Sequence, residues 1–411
     1  MFSIRKSLHS KEKRRKKKYM EDVKANLSHT WRLLMHRKIL FVWMLFAILG
    51  NILQAIFLRK TGISLPKYSY FILWSTELPF TAILWGIFGF LYFTGRVTRE
   101  NCQVSYKELT IMGTLVAFNG IFMVFANSHV PGTLQSLLGP AIVTIPLSMI
   151  FSFVYLKKKF RVPQLFAAVI IFIGLVISIV PDIQKDDFSN VPKNDIPQIF
   201  WDLIFFMGSA PLAMSSVIQE DIFKKEDASV AFIMAGFIIP QGIVIWAMGP
   251  LDFIPSFGSS TPSTFFPNQA DAVKCAFGIS IGDACPTCRC DVAPTMYWFF
   301  VVGYIMANFA NVAVVKYGSA TLLYIVISIT APLCTILFSM DAVMTPFPSE
   351  RHNETTWIAL AVIVVGVVGY TLFDKPPGEE STLHLQEKEV LVTEEASNQS
   401  MGSAPPLFTA T

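Results

Sequence analysis

Apolar residues run almost unbroken through ten stretches of this chain, at about 39–58, 70–93, 109–127, 133–155, 163–180, 196–217, 229–248, 295–315, 320–340 and 356–373. Only two charged side chains, Glu77 and Asp202, fall inside them. A helix needs ~20 apolar residues to cross ~30 Å of hydrocarbon, because each backbone amide must find its acceptor within its own helix. The pattern therefore predicts an all-α integral membrane protein of ten transmembrane helices. The longest polar pieces are an amino-terminal arm over 1–38, a loop over 249–294 and a tail over 374–411. None is large enough to bury a core of its own.

Composition agrees, with 53% hydrophobic and 15% charged residues. The net charge of +4 matters less than its placement, because 13 of the 33 Lys and Arg residues precede the first span. They include the run Lys11–Lys18, and Arg32, Arg37 and Lys38 sit directly against that span. Such charge stays in the cytosol. With the amino terminus inside, the cytosolic segments hold 25 Lys and Arg and the opposite face 8, which predicts both termini in the cytosol. Lys11–Lys18 reads as a solvated arm leaning on anionic lipid rather than as a nuclear signal, and no nucleic-acid partner is expected. No apolar core lies ahead of the first span, so no cleavable signal peptide is expected. The arm is also Lys-rich, unlike the Ser- and Arg-rich, acid-poor transit peptides of plastids and mitochondria. The tail, with Glu379, Glu380, Glu387, Glu389, Glu394 and Glu395, reads as disordered. A glycosylation sequon at Asn353 abuts the last span, too close to the membrane for modification, and those at Asn26 and Asn398 are cytosolic in this topology.

Cys102 and Cys334 stand alone, whereas Cys275, Cys285, Cys288 and Cys290 crowd one loop on the expected non-cytosolic face. Four thiols on an oxidising face read as two disulfides, with three pairings open. A zinc site is the rival reading, since Cys285 and Cys288 form a CxxC, but Cys275 lacks a short-spaced mate. A redox role of the thioredoxin type lacks its βαβ context.

Faint internal repetition organises the spans. The fourth and ninth open with Thr133-Leu134 and Thr321-Leu322, and each carries a proline further on, Pro146 and Pro332. The fifth and tenth each run into a glycine, Ala168 to Gly174 and Ala361 to Gly366. Ten spans thus read as five plus five, over 39–180 and 196–373 with a linker at 181–195. An odd-numbered unit repeated in tandem lies upside down the second time, and inverted halves belong to carriers with a site between them near mid-membrane.

Working residues are sought among the polar groups that lipid rejects. An ionised carboxylate in mid-membrane costs at least ~2.5–3.5 kcal/mol, so Glu77 is expected to face a water-filled cavity or to carry a proton, and it is the first candidate for proton coupling. Asp202 is a weaker second, since it lies in the first turns of its span, where solvent and the helix dipole stabilise a carboxylate. Asn51, Gln54, Asn119, Gln135, Ser136, Ser209, Ser215, Ser216, Asn308 and Asn311 form a neutral polar set able to meet a small-molecule substrate. Interhelical hydrogen bonding is the plainer role for any one of them. Pro146, Pro211 and Pro332 are expected to kink their helices. All six histidines lie outside the spans, and no metal site, cofactor or catalytic constellation is expected.

The chain resembles the chloroquine-resistance-transporter-like family of the drug/metabolite transporter superfamily over residues 39–373. The likeness rests on Ile56-Phe57-Leu58-Arg59-Lys60-Thr61, on Gly132-Thr133-Leu134-Gln135-Ser136 with Ile145-Pro146, and on Ser209-Ala210-Pro211 with Ser215-Ser216. Glu220-Asp221-Ile222-Phe223-Lys224-Lys225, the four-cysteine loop, and Tyr324-Ile325-Val326 ahead of Pro332 complete it. The resemblance implies a ten-helix inverted-repeat carrier around a central cavity, working as a monomer in a vacuolar or lysosomal membrane. Its cargo would be short peptides, glutathione-like thiols, amino acids or cationic amphiphiles, exported from an acidic lumen with protons. It also implies the pairings Cys275–Cys290 and Cys285–Cys288, and adds Ala55, Tyr324 and Thr330 to the cavity set. Ala55 stands where the best-known member has lysine, and Val116 and Ala307 where acids are expected, so the cavity here is less charged. A nucleotide-sugar antiporter is the runner-up and a receptor or scaffold a further alternative. The first would need a basic residue in the cavity, and no span contains Lys or Arg.

Overall fold

The computed structural model describes residues 38–185, 197–255, 257–350 and 354–373. The run Lys11–Lys18, linker residues 186–195, the sequon at Asn353 and the tail lie outside the described residues. The helices, in chain order, are α1 (Lys38–Ser64), α2 (Ser69–Phe93), α3 (Tyr106–Asn127), α4 (Gly132–Leu138), α5 (Pro140–Tyr155), α6 (Val162–Lys185) and α7 (Gln198–Lys225). There follow α8 (Val230–Ala247), α9 (Phe265–Ala276), α10 (Ala293–Tyr317), α11 (Ala320–Ser328), α12 (Thr330–Ser339), α13 (Asp341–Met344) and α14 (Glu354–Phe373). Among the described residues no strand forms beyond an isolated bridge between Pro255 and Gly258. Among the described residues nine segments are long and apolar enough to cross a membrane, with α4–α5 and α11–α12 each counting as one. The tenth expected span is the shorter apolar helix α14, apolar over Glu354–Tyr370.

Two features depart from the sequence expectation. First, α1 runs on to Ser64 and α7 to Lys225, past the expected ends at 58 and 217. Backbone hydrogen bonding does not stop where the apolar run stops, so these helices carry Arg59, Lys60, Glu220 and Lys224 on their last turns. Second, the fourth and ninth spans are broken. Gly139 takes an extended conformation (φ −73°, ψ 174°) between α4 and α5. Pro140 next to it offers no amide and disfavours helical backbone at the residue before it. Pro146, the expected kink, lies inside α5 instead. In the ninth span the interruption is milder: Ile329, between α11 and α12, keeps right-handed helical backbone (φ −63°, ψ −26°), and Pro332 follows in the first turn of α12, where its missing amide costs little.

Small residues let the helices meet at backbone distance. A Cβ at Gly174 of α6 would stand 2.6 Å from Cγ1 of Ile363 in α14, and one at Gly366 of α14 would stand 2.7 Å from Cγ1 of Ile171 in α6. The contact is reciprocal: each glycine receives the isoleucine three residues before the other. α1 and α10 interlock similarly, Gly50 against the Ala307 backbone and Gly303 against that of Gln54. The outer surface is apolar, with Phe41 and Leu49 of α1, Phe153 and Val154 of α5, Phe166 of α6, Ile243 of α8 and Val365 of α14 all exposed. Such a belt suits hydrocarbon and not water.

At one end of the bundle, disulfides Cys275–Cys290 and Cys285–Cys288 staple α9 and the following turns to the start of α10. The Arg289 amide donates to Ser64 O (2.9 Å), Lys67 Nζ to Ala284 O (3.0 Å) and Trp74 Nε1 to Gln269 Oε1 (2.7 Å). The loop is thus fastened across the α1–α2 end rather than folded on its own.

Candidate substrate cavity

Seven helices, α1, α2, α3, α7, α8, α10 and α11, surround a cavity within the bundle. Eight of the residues singled out in the sequence line it: Asn51, Gln54, Glu77, Asn119, Ser216, Asn308, Asn311 and Tyr324. Glu77 is the one acidic side chain in the lining, and no Lys, Arg or His joins it.

Glu77 lies on α2, 6% exposed. Its Oε1 accepts a 2.6 Å hydrogen bond from Gln241 Nε2 of α8 and a longer one, 3.4 Å, from Tyr304 OH of α10. Its Oε2 has no partner, nor does Oε1 of Gln241. An unpaired buried carboxylate oxygen is costly, and a proton on the carboxyl removes most of that cost. The Tyr304 ring packs edge-on against Phe80 (centroids 4.9 Å apart), which fixes its hydroxyl toward the acid.

The amides divide between cavity and scaffold. Asn51 Nδ2 donates to Asn311 Oδ1 (3.0 Å) and Ala47 O (2.7 Å), tying α1 to α10. Asn119 Nδ2 reaches Gly208 O (2.8 Å) three residues ahead of Pro211, while Asn308 Nδ2 bonds Tyr304 O (2.8 Å). Tyr324 OH donates to Ser216 Oγ (2.6 Å), joining α11 to α7.

The remaining sequence candidates sit away from the lining. Ala55 packs with Ile56, Met296 and Phe338. Gln135 Nε2 donates to Asn127 O (2.9 Å) and Val130 O (2.8 Å), and Ser136 Oγ bonds Gly132 O within α4. Ser209 and Ser215 are buried in α7 with no hydrogen-bond partner for their hydroxyls. Thr330 Oγ1 turns back to Ile327 O. Asp202 is fully buried and accepts from Gln198 Nε2 (3.2 Å), next to Trp201, whose indole stacks on His129 at 4.0 Å. Desolvation pushes the His129 imidazole below its ordinary value.

Four polar lining residues were not singled out in the sequence: Thr76, Gln219, Gln241 and Tyr304. A signal existed for Gln241, an amide within the otherwise apolar seventh span and immediately after Pro240. Val116 lines the cavity and Ala307 is buried against Gly50 of α1, so neither position brings charge to it. Among the described residues no three His, Cys, Asp or Glu side chains gather closely enough to hold a metal ion.

Residues 39–370 match the family described as CRT-like, chloroquine-resistance transporter-like. The chain belongs to that family. Crt homolog 3 of Dictyostelium discoideum is 25% identical over 373 residues, spanning 82% of this chain and 74% of that protein. The Chloroquine resistance transporter of Toxoplasma gondii is 22% identical across 76% of this chain, which spans 36% of that longer protein. Protein CLT3, chloroplastic, of Arabidopsis thaliana is 20% identical across 74% of this chain and 66% of its own length. Membership of this family, together with the apolar helices, makes the protein an integral membrane protein of a transporter type.

Proposed function

We propose that the chain is a secondary-active carrier that moves small solutes from an acidic vacuolar or lysosomal lumen to the cytosol, driven by protons. In this reading the disulfide-stapled end faces the lumen, as its oxidised cysteines suit, and both termini are cytosolic. The ten helices form two inverted halves, a relation supported by the reciprocal Gly174–Ile363 and Gly366–Ile171 contacts and by the breaks in both the fourth and ninth spans. The observation that carries the reading is Glu77: a single carboxyl in the cavity wall, one oxygen held by Gln241 and the other unpartnered. A carboxyl so placed takes up a proton from an acidic side and releases it to a neutral one. Asn51, Gln54, Asn119, Ser216, Asn308, Asn311 and Tyr324 supply uncharged contacts suited to amino acids, short peptides and glutathione-like thiols.

The test is efflux from proteoliposomes with an acidic interior, using labelled glutathione, short peptides and basic amino acids beside Glu77→Gln. Gradient-dependent efflux that falls to the level of protein-free vesicles in Glu77→Gln is the expected result. Exchange of nucleotide sugars with none of these solutes moved would replace this reading with an antiporter of phosphorylated cargo. The lining speaks against that outcome, since it offers no cation to a phosphate.

A further inference from the structure

The first residues of the two broken spans meet the same kind of partner at opposite ends of the bundle. The amides of Gly132 and Thr133, which open α4, donate to the two carboxylate oxygens of Glu350 (2.9 and 2.8 Å). The amide of Ala320, which opens α11, donates to Oε2 of Glu220 (3.1 Å). Gly132 and Ala320 are matched positions, each directly preceding the Thr-Leu pair that marks the repeat.

Each carboxylate also holds a cation. Glu350 Oε1 accepts from Arg59 Nε (3.1 Å), and Arg59 Nη1 reaches on to Asn127 O (2.9 Å) at the end of α3. Glu220 Oε1 is held by Lys158 Nζ (2.5 Å) and by Lys224 Nζ (2.9 Å). The side chains of Arg59, Glu350 and Lys158 are 14–15% exposed and that of Glu220 is 2% exposed. Pairs so shielded are far less screened than surface ion pairs, and removing one member leaves the other charge stranded.

Arg59 nears the end of α1 and Glu220 that of α7, the helices matched between the halves, where Ile56-Phe57 and Arg59-Lys60 parallel Ile222-Phe223 and Lys224-Lys225. Glu350 lies between α13 and α14, and Lys158 lies in the matching connection between α5 and α6. The charges are therefore exchanged: at one end the helix supplies the cation and the loop the anion, and at the other end the reverse. In both cases the carboxylate is the member that caps the broken span. None of the four residues lines the cavity.

We propose that these are the two end clamps of the carrier. Arg59–Glu350 pins α4 across the disulfide end, Lys158–Glu220 pins α11 across the opposite end, and each parts to open the cavity on its own side. The four are positioning residues, acting through the half-helix they hold. The inference rests on the carrier reading, but its test needs no substrate.

A cysteine at Val116, in the cavity wall, is labelled with a membrane-impermeant thiol reagent from each side of oriented vesicles. Labelling of the chain without it is subtracted, and reference cysteines at Pro262 and Lys159 report the two sides. Glu350→Gln and Arg59→Gln are expected to raise labelling from the disulfide-loop side about tenfold, a population shift equivalent to ~1.4 kcal/mol. Glu220→Gln and Lys158→Gln are expected to raise it from the other side, while Arg59→Lys and Lys158→Arg keep the parental pattern. Where a glutamate variant does not fold, its cationic partner's variant decides for that end. Folded variants that leave labelling unchanged, or that raise it from the same side at both ends, overturn the proposal. A chain that moves none of the solutes above yet shows these opposite labelling shifts retains the clamps and loses only the proposed cargo.

Discussion

Glutamine 241 illustrates what a single side chain does in this bundle. Its amide nitrogen holds one oxygen of Glu77 and lies 3.3 Å from the Tyr304 hydroxyl, so three helices meet at one acid. Gln241→Leu removes the donor while keeping the volume, and it is expected to slow gradient-driven efflux in vesicles without loss of protein yield. Parental rates in that variant would show that Glu77 works without its partner. The Asn51–Asn311 bond is a second residue-scale case. Asn51→Ala is expected to cost about 0.6–1.7 kcal/mol, the range for interhelical hydrogen bonds in membranes, read as a lowered unfolding midpoint in detergent. Adding Asn311→Ala should then cost little more, because the pair acts as a unit. Such residues were legible in the sequence as polar groups inside apolar spans. Their facing was not, which is why Ser209 and Ser215 lie buried within α7 while Ser216 of the same helix lines the cavity. A run that is apolar all round carries no stripe from which rotation can be read.

Among the elements, the closest approach is that of α6 and α14. Gly174→Leu would drive a side chain into Ile363 and the Ala359 carbonyl, and a loss of about 1–3 kcal/mol is expected from overpacking, measured by thermal or denaturant unfolding. Gly242→Leu makes a fair control, since a Cβ there meets nothing within 4 Å. The stapled loop allows a second comparison. Cys275 and Cys290 are 15 residues apart and Cys285 and Cys288 only 3. On the chain-entropy view the longer closure contributes about 2–4 kcal/mol and the shorter one less. Replacing Cys275 and Cys290 by serine should therefore lower the unfolding midpoint more than replacing Cys285 and Cys288; the reverse order would point to local strain or packing as the main effect. Element positions came through well from hydropathy, including the start of α14 within two residues. Breaks did not, because Gly139-Pro140 lies inside a run whose composition stays apolar throughout.

For the whole molecule, the expected behaviour is a cavity opened from opposite ends by opposite clamp variants, and the labelling experiment measures it directly. The charged residues involved fell outside every expected span: Arg59 and Glu220 figured only within motifs of the family resemblance, and Lys158 and Glu350 were not singled out. What the sequence by itself determined was the class of protein, the approximate bounds of its apolar helices, and the family. These follow from local composition, because a helix in lipid satisfies its own backbone and needs only enough apolar residues in a row. The tertiary structure alone decided which faces of the helices turn inward and what closes the ends. Glu77 meets Gln241 from 164 residues away, and Arg59 meets Glu350 from 291. Helix rotation and pairing are set by contacts of that range, glycine against isoleucine and carboxylate against a distant amide, and no window along the chain contains both partners.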